Sequence, residues 1–295
     1  MRKILFALAL AVSLLTAGTA SAHMFWINLV EATNHPPGHV MAGLSFGHAL
    51  PMDDFLVGKD GSIHIAQYDV VTPEQKKLPL GLPDETYRPA EKKDGLEVSR
   101  GDLALRKIEM TKDSAPGTYQ VEATSKPFFF TVYLDEKGKQ RMAPKPIDAI
   151  KGVSKVISSF KYVSYAKSFF SMDKWTKPQP LGHDLEIIPL DNLSDVHVGD
   201  LIRFQVTYMG KPVNVTPNAI RSMSCTSNTF GGPDKFYLGT YIYNGIAQFR
   251  MPTPGQWVAN VLYSQDVEKD PTLSDLKGKC HTVYTGSTIG FNVKP

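Results

Sequence analysis

Alternation of hydrophobic and polar positions is the dominant pattern of the chain and predicts β-strands. Apolar residues alternate with polar ones from Ile202 to Tyr208, which is the period of a strand with one buried face. Glycine and proline turns separate such segments and helical periodicity is almost absent, so the pattern is typical of antiparallel β-sandwiches. Further strands are predicted in the C-terminal half of the chain, at 185–190, 237–243, 246–251, 256–263 and 281–293.

The N-terminal half is patterned less regularly. Residues 25–29 and 40–46 are predicted strands on either side of a proline-glycine turn, and they could pair as a hairpin. Residues 118–123 and 128–134 are predicted to form a meander. The segment 147–170 mixes two periods, and we interpret it as a helical turn followed by a strand.

A segment rich in lysine and proline, between residues 172 and 180, has the composition of a linker. It divides the chain into an N-terminal β-rich domain, 23–175, and a C-terminal β-sandwich domain, 181–295. Each is long enough to bury its own core. The predicted fold is therefore all-β, with two tandem antiparallel β-sandwich domains.

The first 22 residues have the features of a secretory signal peptide. Arg2 and Lys3 precede an apolar run from Leu5 to Leu15, and Ala20-x-Ala22 supplies the small residues of a cleavage site. The apolar run is too short to span a bilayer, and no later stretch reaches the roughly 18 apolar residues that a spanning helix requires. We expect cleavage after Ala22, export to the periplasm and no direct insertion into the membrane.

Charge and motifs exclude several functional classes. Loss of Arg2 and Lys3 would lower the formal net charge from +3 to +1, which argues against nucleic-acid binding. The nucleophile elbow, phosphate loop, dinucleotide fingerprint, HExxH motif and CxxC pair are all missing from the sequence. The sequence therefore does not predict an enzyme.

The two cysteines, Cys225 and Cys280, are predicted to form one disulfide, because an exported chain reaches an oxidising compartment. The alternative is ligation of a soft metal with help from His281. Thiolates in the periplasm tend to be oxidised, which favours the disulfide.

Cleavage after Ala22 would make His23 the amino-terminal residue. Its α-amino group, with an ordinary pKa of about 8, and its imidazole Nδ1 could then hold one metal ion in a single chelate ring. Such a ligand suits Ni(II), Co(II) or Cu(II). The alternative is a frayed terminus without metal, and a cleavage site shifted by one residue would remove the chelate.

Five of the eight histidines lie in the first 64 residues, which is the main compositional indication of a metal site. His48 follows the second predicted strand, so the hairpin would bring it to His23; an exposed turn histidine is an equal alternative. His183 precedes the first strand of the second half and is either a third ligand or a structural residue. His64 lies between two isoleucines of a predicted strand and is a further candidate ligand.

A series of short motifs follows in order along almost the whole chain after residue 22. Together they resemble the DUF4198 family. The motifs are Ala22-His23-x-Phe25-Trp26, Gly47-His48, Tyr162-x-x-Tyr165-Ala166-Lys167, Gly182-His183-x-Leu185-Glu186, Gly199-Asp200, Gly210-Lys211-Pro212-Val213 and Pro254-Gly255-Gln256-Trp257.

The resemblance implies tandem domains similar to immunoglobulin folds and a periplasmic accessory role in nickel and cobalt uptake. By position, His23, His48 and His183 match the recurrent histidines of the family. The chain departs from the family at Asn244-Gly245, where an Asp-Gly turn is common, and this change keeps the turn chemistry. The cysteine pair is not a feature that the resemblance implies.

We therefore expect a periplasmic protein that binds Ni(II) or Co(II), or alternatively Cu(II), and delivers it to components of an inner-membrane transporter. Its predicted ligands are His23, His48, His183 and His64. One alternative is a copper monooxygenase that uses the terminal histidine in a histidine brace. Another is a β-sandwich module for adhesion or ligand binding whose histidines are incidental.

Overall fold

The structure is a computed structural model that describes residues 23–32, 36–59, 62–214, 221–230 and 236–295. The predicted signal peptide and its cleavage site lie outside the described residues. In these ranges the chain forms two short 3-10 helices, Ile147–Ala149 and Pro271–Leu276. The strands are β1 Met24–Ala32, β2 His39–Gly47, β3 Ile65–Val71, β4 Lys77–Pro79, β5 Glu91–Lys93, β6 Leu96–Val98, β7 Arg106–Glu109, β8 Gly117–Ser125, β9 Phe128–Asp135, β10 Gln140–Ala143, β11 Val153–Met172, β12 Leu185–Pro189, β13 Val196–His197, β14 Leu201–Tyr208, β15 Lys211–Pro212, β16 Ser222–Ser227, β17 Leu238–Tyr241, β18 Ile246–Arg250, β19 Gly255–Asp266 and β20 Thr282–Lys294.

One large sheet runs through the molecule in the order β17-β16-β19-β20-β11-β8-β3-β4. Smaller sheets pack beside it: β1-β2-β7 in the N-terminal half, and β12, β14, β15 and β18 in the C-terminal half. The prediction of an all-β, sandwich-type fold is confirmed.

Among the described residues, two large hydrophobic cores form on opposite faces of the large sheet, and a third, small cluster consists of Val267, Cys280 and Val283. Strand β11 contributes to both large cores, since Phe170 lies in one core and its neighbour Phe169 lies in the other. We call them the N-terminal core, which includes residues of β1, β2, β3 and β8, and the C-terminal core, which includes residues of β12, β14, β19 and β20. Because β11 also pairs in parallel with β20, the two halves share a sheet. The division at 175–181 stays a prediction.

Strand β11 spans 20 residues and organises the centre of the sheet. The expectation of a helical turn followed by a strand is confirmed, because the 3-10 helix Ile147–Ala149 precedes it. The predicted meander is wrong: β8 and β9 both pair antiparallel with β11, one after the other. Their connection is Lys126-Pro127, which lacks the glycine or asparagine that a two-residue hairpin turn needs. The chain therefore continues in the same direction.

The predicted disulfide is wrong, since Cys225 and Cys280 are both buried free thiols. Cys225 lies opposite Ala259, and Ala259 lies opposite Ile289 of β20. Cys280 precedes Ile289 by nine residues along the same chain segment, which places it on the order of 30 Å away along the strand. A disulfide requires Cα atoms less than about 7 Å apart.

Candidate functional site

The β1–β2 hairpin places His23 beside His48. In its antiparallel register Met24 lies opposite Gly47, so the two histidines are the next residues outward at the same end. Alternate residues of both strands, such as Phe25 and Leu44, are fully buried in the N-terminal core. This alternation follows from the period of two in a strand, and it sets the register that aligns the histidines.

Contacts with the central sheet hold β1 in place. The Thr288 hydroxyl of β20 donates to the Phe25 carbonyl at 2.6 Å. Gly290 lies against the backbone of β1, where a Cβ atom would come within 2.6 Å of the Ile27 carbonyl oxygen. Asn28 bonds to the Ser45 hydroxyl of β2 at 2.7 Å. The base of the hairpin is therefore fixed by hydrogen bonds and by close backbone packing.

The rings of His23 and His48 are in contact. Their centroids are 4.1 Å apart with an interplanar angle of 47°, and His23 also stacks on Phe46 at 4.7 Å. The His23 side chain is 37% exposed and that of His48 is 27% exposed. The pair therefore packs against Phe46 on one side and is open to solvent on another.

Two carboxylates border the histidine pair. Asp53 Oδ2 lies 3.6 Å from His48 Nδ1, and Asp54 Oδ2 lies 3.8 Å from His23 Nε2. The His48 backbone N–H donates to Asp53 Oδ1 at 2.8 Å, and Asp54 forms a β-bridge with Phe46. Sequence reasoning missed both aspartates; the only signal was an acidic pair a few residues after Gly47-His48.

Burial lowers the pKa of His23, and the neighbouring His48 lowers it further, while Asp54 and Asp53 oppose the shift. A lowered pKa favours the neutral imidazole, which is the form that binds metals. The electrostatic surroundings of His23 therefore suit a metal ligand.

The donor types fit a borderline transition metal, since imidazole nitrogens with carboxylate oxygens are common ligands of Ni(II), Cu(II) and Zn(II). Across the described ranges, however, no group of three or more His, Cys, Asp or Glu side chains is arranged so that it could hold a metal ion. The site is a histidine pair with two nearby acids.

His183 lies on the opposite face of the large sheet from this pair. Its Nε2 bonds to Glu122 Oε2 at 2.7 Å, and Glu122 lies opposite Lys167 in the pairing of β8 with β11. Lys167 follows Ala166, which faces the N-terminal core beside β1, so Lys167 and its partners point to the other side. The structure therefore does not bring His183 to His23 and His48.

A buried ionic network surrounds His183. Lys167 donates to Glu186 Oε1 at 2.8 Å, and Lys77 donates to Glu122 at 2.7 Å. Burial alone raises the pKa of Glu122, but the hydrogen bonds from His183 and Lys77 outweigh it and the pKa lies below its ordinary value. His183 also stacks on Tyr165 with ring centroids 4.6 Å apart. These contacts connect the N-terminal half to the C-terminal half, so His183 has a structural role here.

His64 lies in a third environment. It directly precedes β3, which begins at Ile65, and does not lie inside the strand as the sequence pattern predicts. Its Nδ1 lies 3.0 Å from Glu85 Oε2, and Lys126 approaches the same oxygen at 3.1 Å. Glu85 also accepts the Ile65 backbone N–H. His64 thus takes part in an ion-pair cluster that fixes the start of β3.

Fold and site together define a sandwich-type β-protein with a partly exposed histidine pair at the end of its first hairpin. The chain belongs to the family described as "Domain of unknown function (DUF4198)", whose model matches residues 20–265. A search of curated proteins finds no match to the chain. None of the helices in the described part of the chain is long and apolar enough to cross a membrane.

Proposed function

We propose that the chain is an exported protein that binds a divalent transition metal, Ni(II) or Co(II), at His23 and His48 and passes it to an inner-membrane transporter. The observation that supports this proposal is the contact between the two imidazole rings, 4.1 Å apart at their centroids. Two histidines that are distant in sequence are held together by a hairpin whose register is set by core packing.

The amino terminus would complete the ligand set. Cleavage after Ala22 leaves a free α-amino group on His23, which can share a chelate ring with the imidazole of the same residue. With His48 this gives three nitrogen ligands, and Asp53 or Asp54 can supply an oxygen after a side-chain rotation. This set would form only after export, so a metal would not be captured in the cytoplasm.

Partial exposure of the site suits delivery rather than permanent retention. Both imidazoles reach solvent, and a metal bound there would have an open coordination side on which a transporter ligand could bind. A structural metal site, by contrast, is closed by four protein ligands.

Calorimetric titration of the cleaved chain with Ni(II), Co(II) and Cu(II) tests this proposal. We expect one metal per chain at about pH 7.5, and a loss of affinity below about pH 6, because the imidazoles and the amine must be unprotonated to bind. His48→Ala should weaken binding by at least about tenfold, which is the smallest effect typical of residues that support a metal site. Addition of one glycine before His23 should have a similar effect.

His64→Ala is the matched control, because this histidine also lies near a carboxylate but belongs to another cluster, and it should leave affinity unchanged. The mass of the exported protein must first show that its terminus is His23. Undetectable binding by the correctly cleaved chain, or equal affinities with and without the added glycine, would contradict the proposal.

A further inference from the structure

An arm extends from one end of the large sheet. It consists of β9, β10 and residues 153–162 of β11, which pair with one another. Strand β8 pairs with β11 only from Tyr165 onward and β20 only from Phe160 onward, so residues 153–159 of β11 extend beyond both strands. At the far end of the arm, Val153 lies opposite Asp135, next to the turn that joins β9 to β10. That end is called the tip.

One face of the arm carries a row of aromatic side chains, all partly exposed. Phe130 packs on Phe160 with ring centroids 5.7 Å apart, and Phe160 contacts Tyr284 of β20 at 5.5 Å. The row continues towards the tip with apolar residues, of which Met142 is 68% exposed. This aromatic face comprises Phe128, Phe130, Val132, Met142, Phe160, Tyr162 and Tyr284.

The tip carries four exposed lysines, Lys137, Lys139, Lys151 and Lys155. In the part of the chain that the structure describes, none of them forms an ion pair.

Two acidic residues lie near the tip. Asp135 is engaged by Arg141 at 3.0 Å and by the backbone N–H groups of Lys137 and Lys139. Glu136 points towards Gly152. Four lysines and one arginine against these two carboxylates leave the tip with an excess of positive charge.

We propose that the arm docks on a membrane surface containing anionic phospholipids, with the aromatic face in the headgroup region and the tip lysines on the phosphates. Aromatic and apolar side chains beside lysines are typical of interfacial membrane binding. Lysines are depleted in protein–protein interfaces, so a protein partner fits this composition less well. The unpaired positive charge complements an anionic surface.

The docking would bring the histidine pair close to the membrane. Thr288 of β20 bonds to the Phe25 carbonyl, and Tyr284 lies four residues earlier on the same face of that strand. The aromatic face therefore begins close to the open end of the β1–β2 hairpin, where His23 and His48 lie. Membrane docking does not depend on the metal proposal, since it uses none of the histidines.

Co-sedimentation with vesicles tests the docking. We expect the chain to bind vesicles of equal parts phosphatidylglycerol and phosphatidylcholine but not vesicles of phosphatidylcholine alone. Lys137→Glu with Lys139→Glu should reduce partitioning by about tenfold or more at low salt. The matched control is Lys174→Glu with Lys177→Glu, which changes net charge equally beyond the other end of β11, on the order of 60 Å away. This control should retain most of the binding.

A second pair of variants tests the apolar part. Met142→Ser should weaken the binding that persists when about 0.5 M salt shortens the Debye length to about 4 Å. Met209→Ser, which changes a methionine of similar exposure in the turn after β14, should have no effect. His48→Ala should bind vesicles normally, which separates this test from the metal proposal.

Three outcomes would overturn the docking proposal. The first is no sedimentation of the unaltered chain with anionic vesicles. The second is an equal loss in the control lysine variant, which would show an effect of net charge alone. The third is normal vesicle binding by the tip variant, which would show that the tip lysines do not contact the phospholipids. Circular dichroism and melting curves confirm that each variant is folded.

Discussion

Lys167 shows how a single residue can join the two halves of the molecule. It is almost fully buried on β11 and donates to Glu186 of β12 at 2.8 Å. Glu186 also accepts the backbone N–H groups of Leu181 and Gly182. Burial lowers the pKa of Lys167, and the negative charge of Glu186 opposes that shift. Each charge is therefore tolerated in the interior only because the other is present.

Lys167→Met should lower the free energy of unfolding by about 3–5 kcal/mol, because it leaves Glu186 as a buried charge without its partner. The double variant Lys167→Met with Glu186→Gln should recover at least about 1 kcal/mol of that loss, because the neutral amide leaves no buried charge, although its single oxygen can keep only one of the two backbone N–H bonds that the carboxylate accepts. Urea denaturation followed by tryptophan fluorescence measures both. Simple addition of the two single-variant costs would argue against a coupled pair.

At the scale of elements, the β1–β2 hairpin depends on a close approach between β1 and β20. Gly290 permits this approach, as any Cβ at that position would collide with the Ile27 carbonyl. The approach in turn allows the Thr288 hydroxyl to reach β1. The histidine pair is thus positioned by a glycine that lies far from it in sequence.

Gly290→Ala should destabilise the protein by about 1–3 kcal/mol, the usual cost of overpacking a tight interior. Gly239→Ala is the control, because a Cβ there would meet nothing closer than Tyr237 at 3.6 Å, and it should change stability by less than about 0.5 kcal/mol. Thermal melting compares the two. If both variants have the melting temperature of the unaltered chain, β1 does not pack tightly against Gly290 of β20.

At the scale of the whole molecule, the large sheet lies between the N-terminal core and the C-terminal core and contributes residues to both. Strand β11 belongs to the N-terminal half by sequence but pairs with β20 of the C-terminal half over nine residues. Its side chains alternate between the two cores. If either half unfolded, the hydrophobic core of the other half would lose packing contacts and become exposed to solvent.

We therefore expect the cleaved chain to unfold in one cooperative transition, with the calorimetric enthalpy equal to the van't Hoff enthalpy. A fragment covering 181–295 should not fold alone, because it lacks β11 and would expose the edge of β20 and part of the C-terminal core. Scanning calorimetry of the chain and circular dichroism of the fragment measure these outcomes. Two separate transitions would instead show that the halves are independent domains.

Local patterns in the sequence determined the all-β class, most strands and the neighbouring positions of His23 and His48. These features depend on the period of two along a strand and on a hairpin between nearby segments. The histidine pair could be predicted because only one turn separates its two strands.

Only the tertiary structure decided which side chains meet across distant segments. It added Asp53 and Asp54 to the histidine pair, placed His183 on the opposite face of the sheet, separated Cys225 from Cys280 and joined both halves through β11. These relations depend on strand order and on which face of the sheet each residue occupies. Local periodicity defines the two faces of each strand but not its neighbours, because long-range pairing is set by the packing of the complete chain.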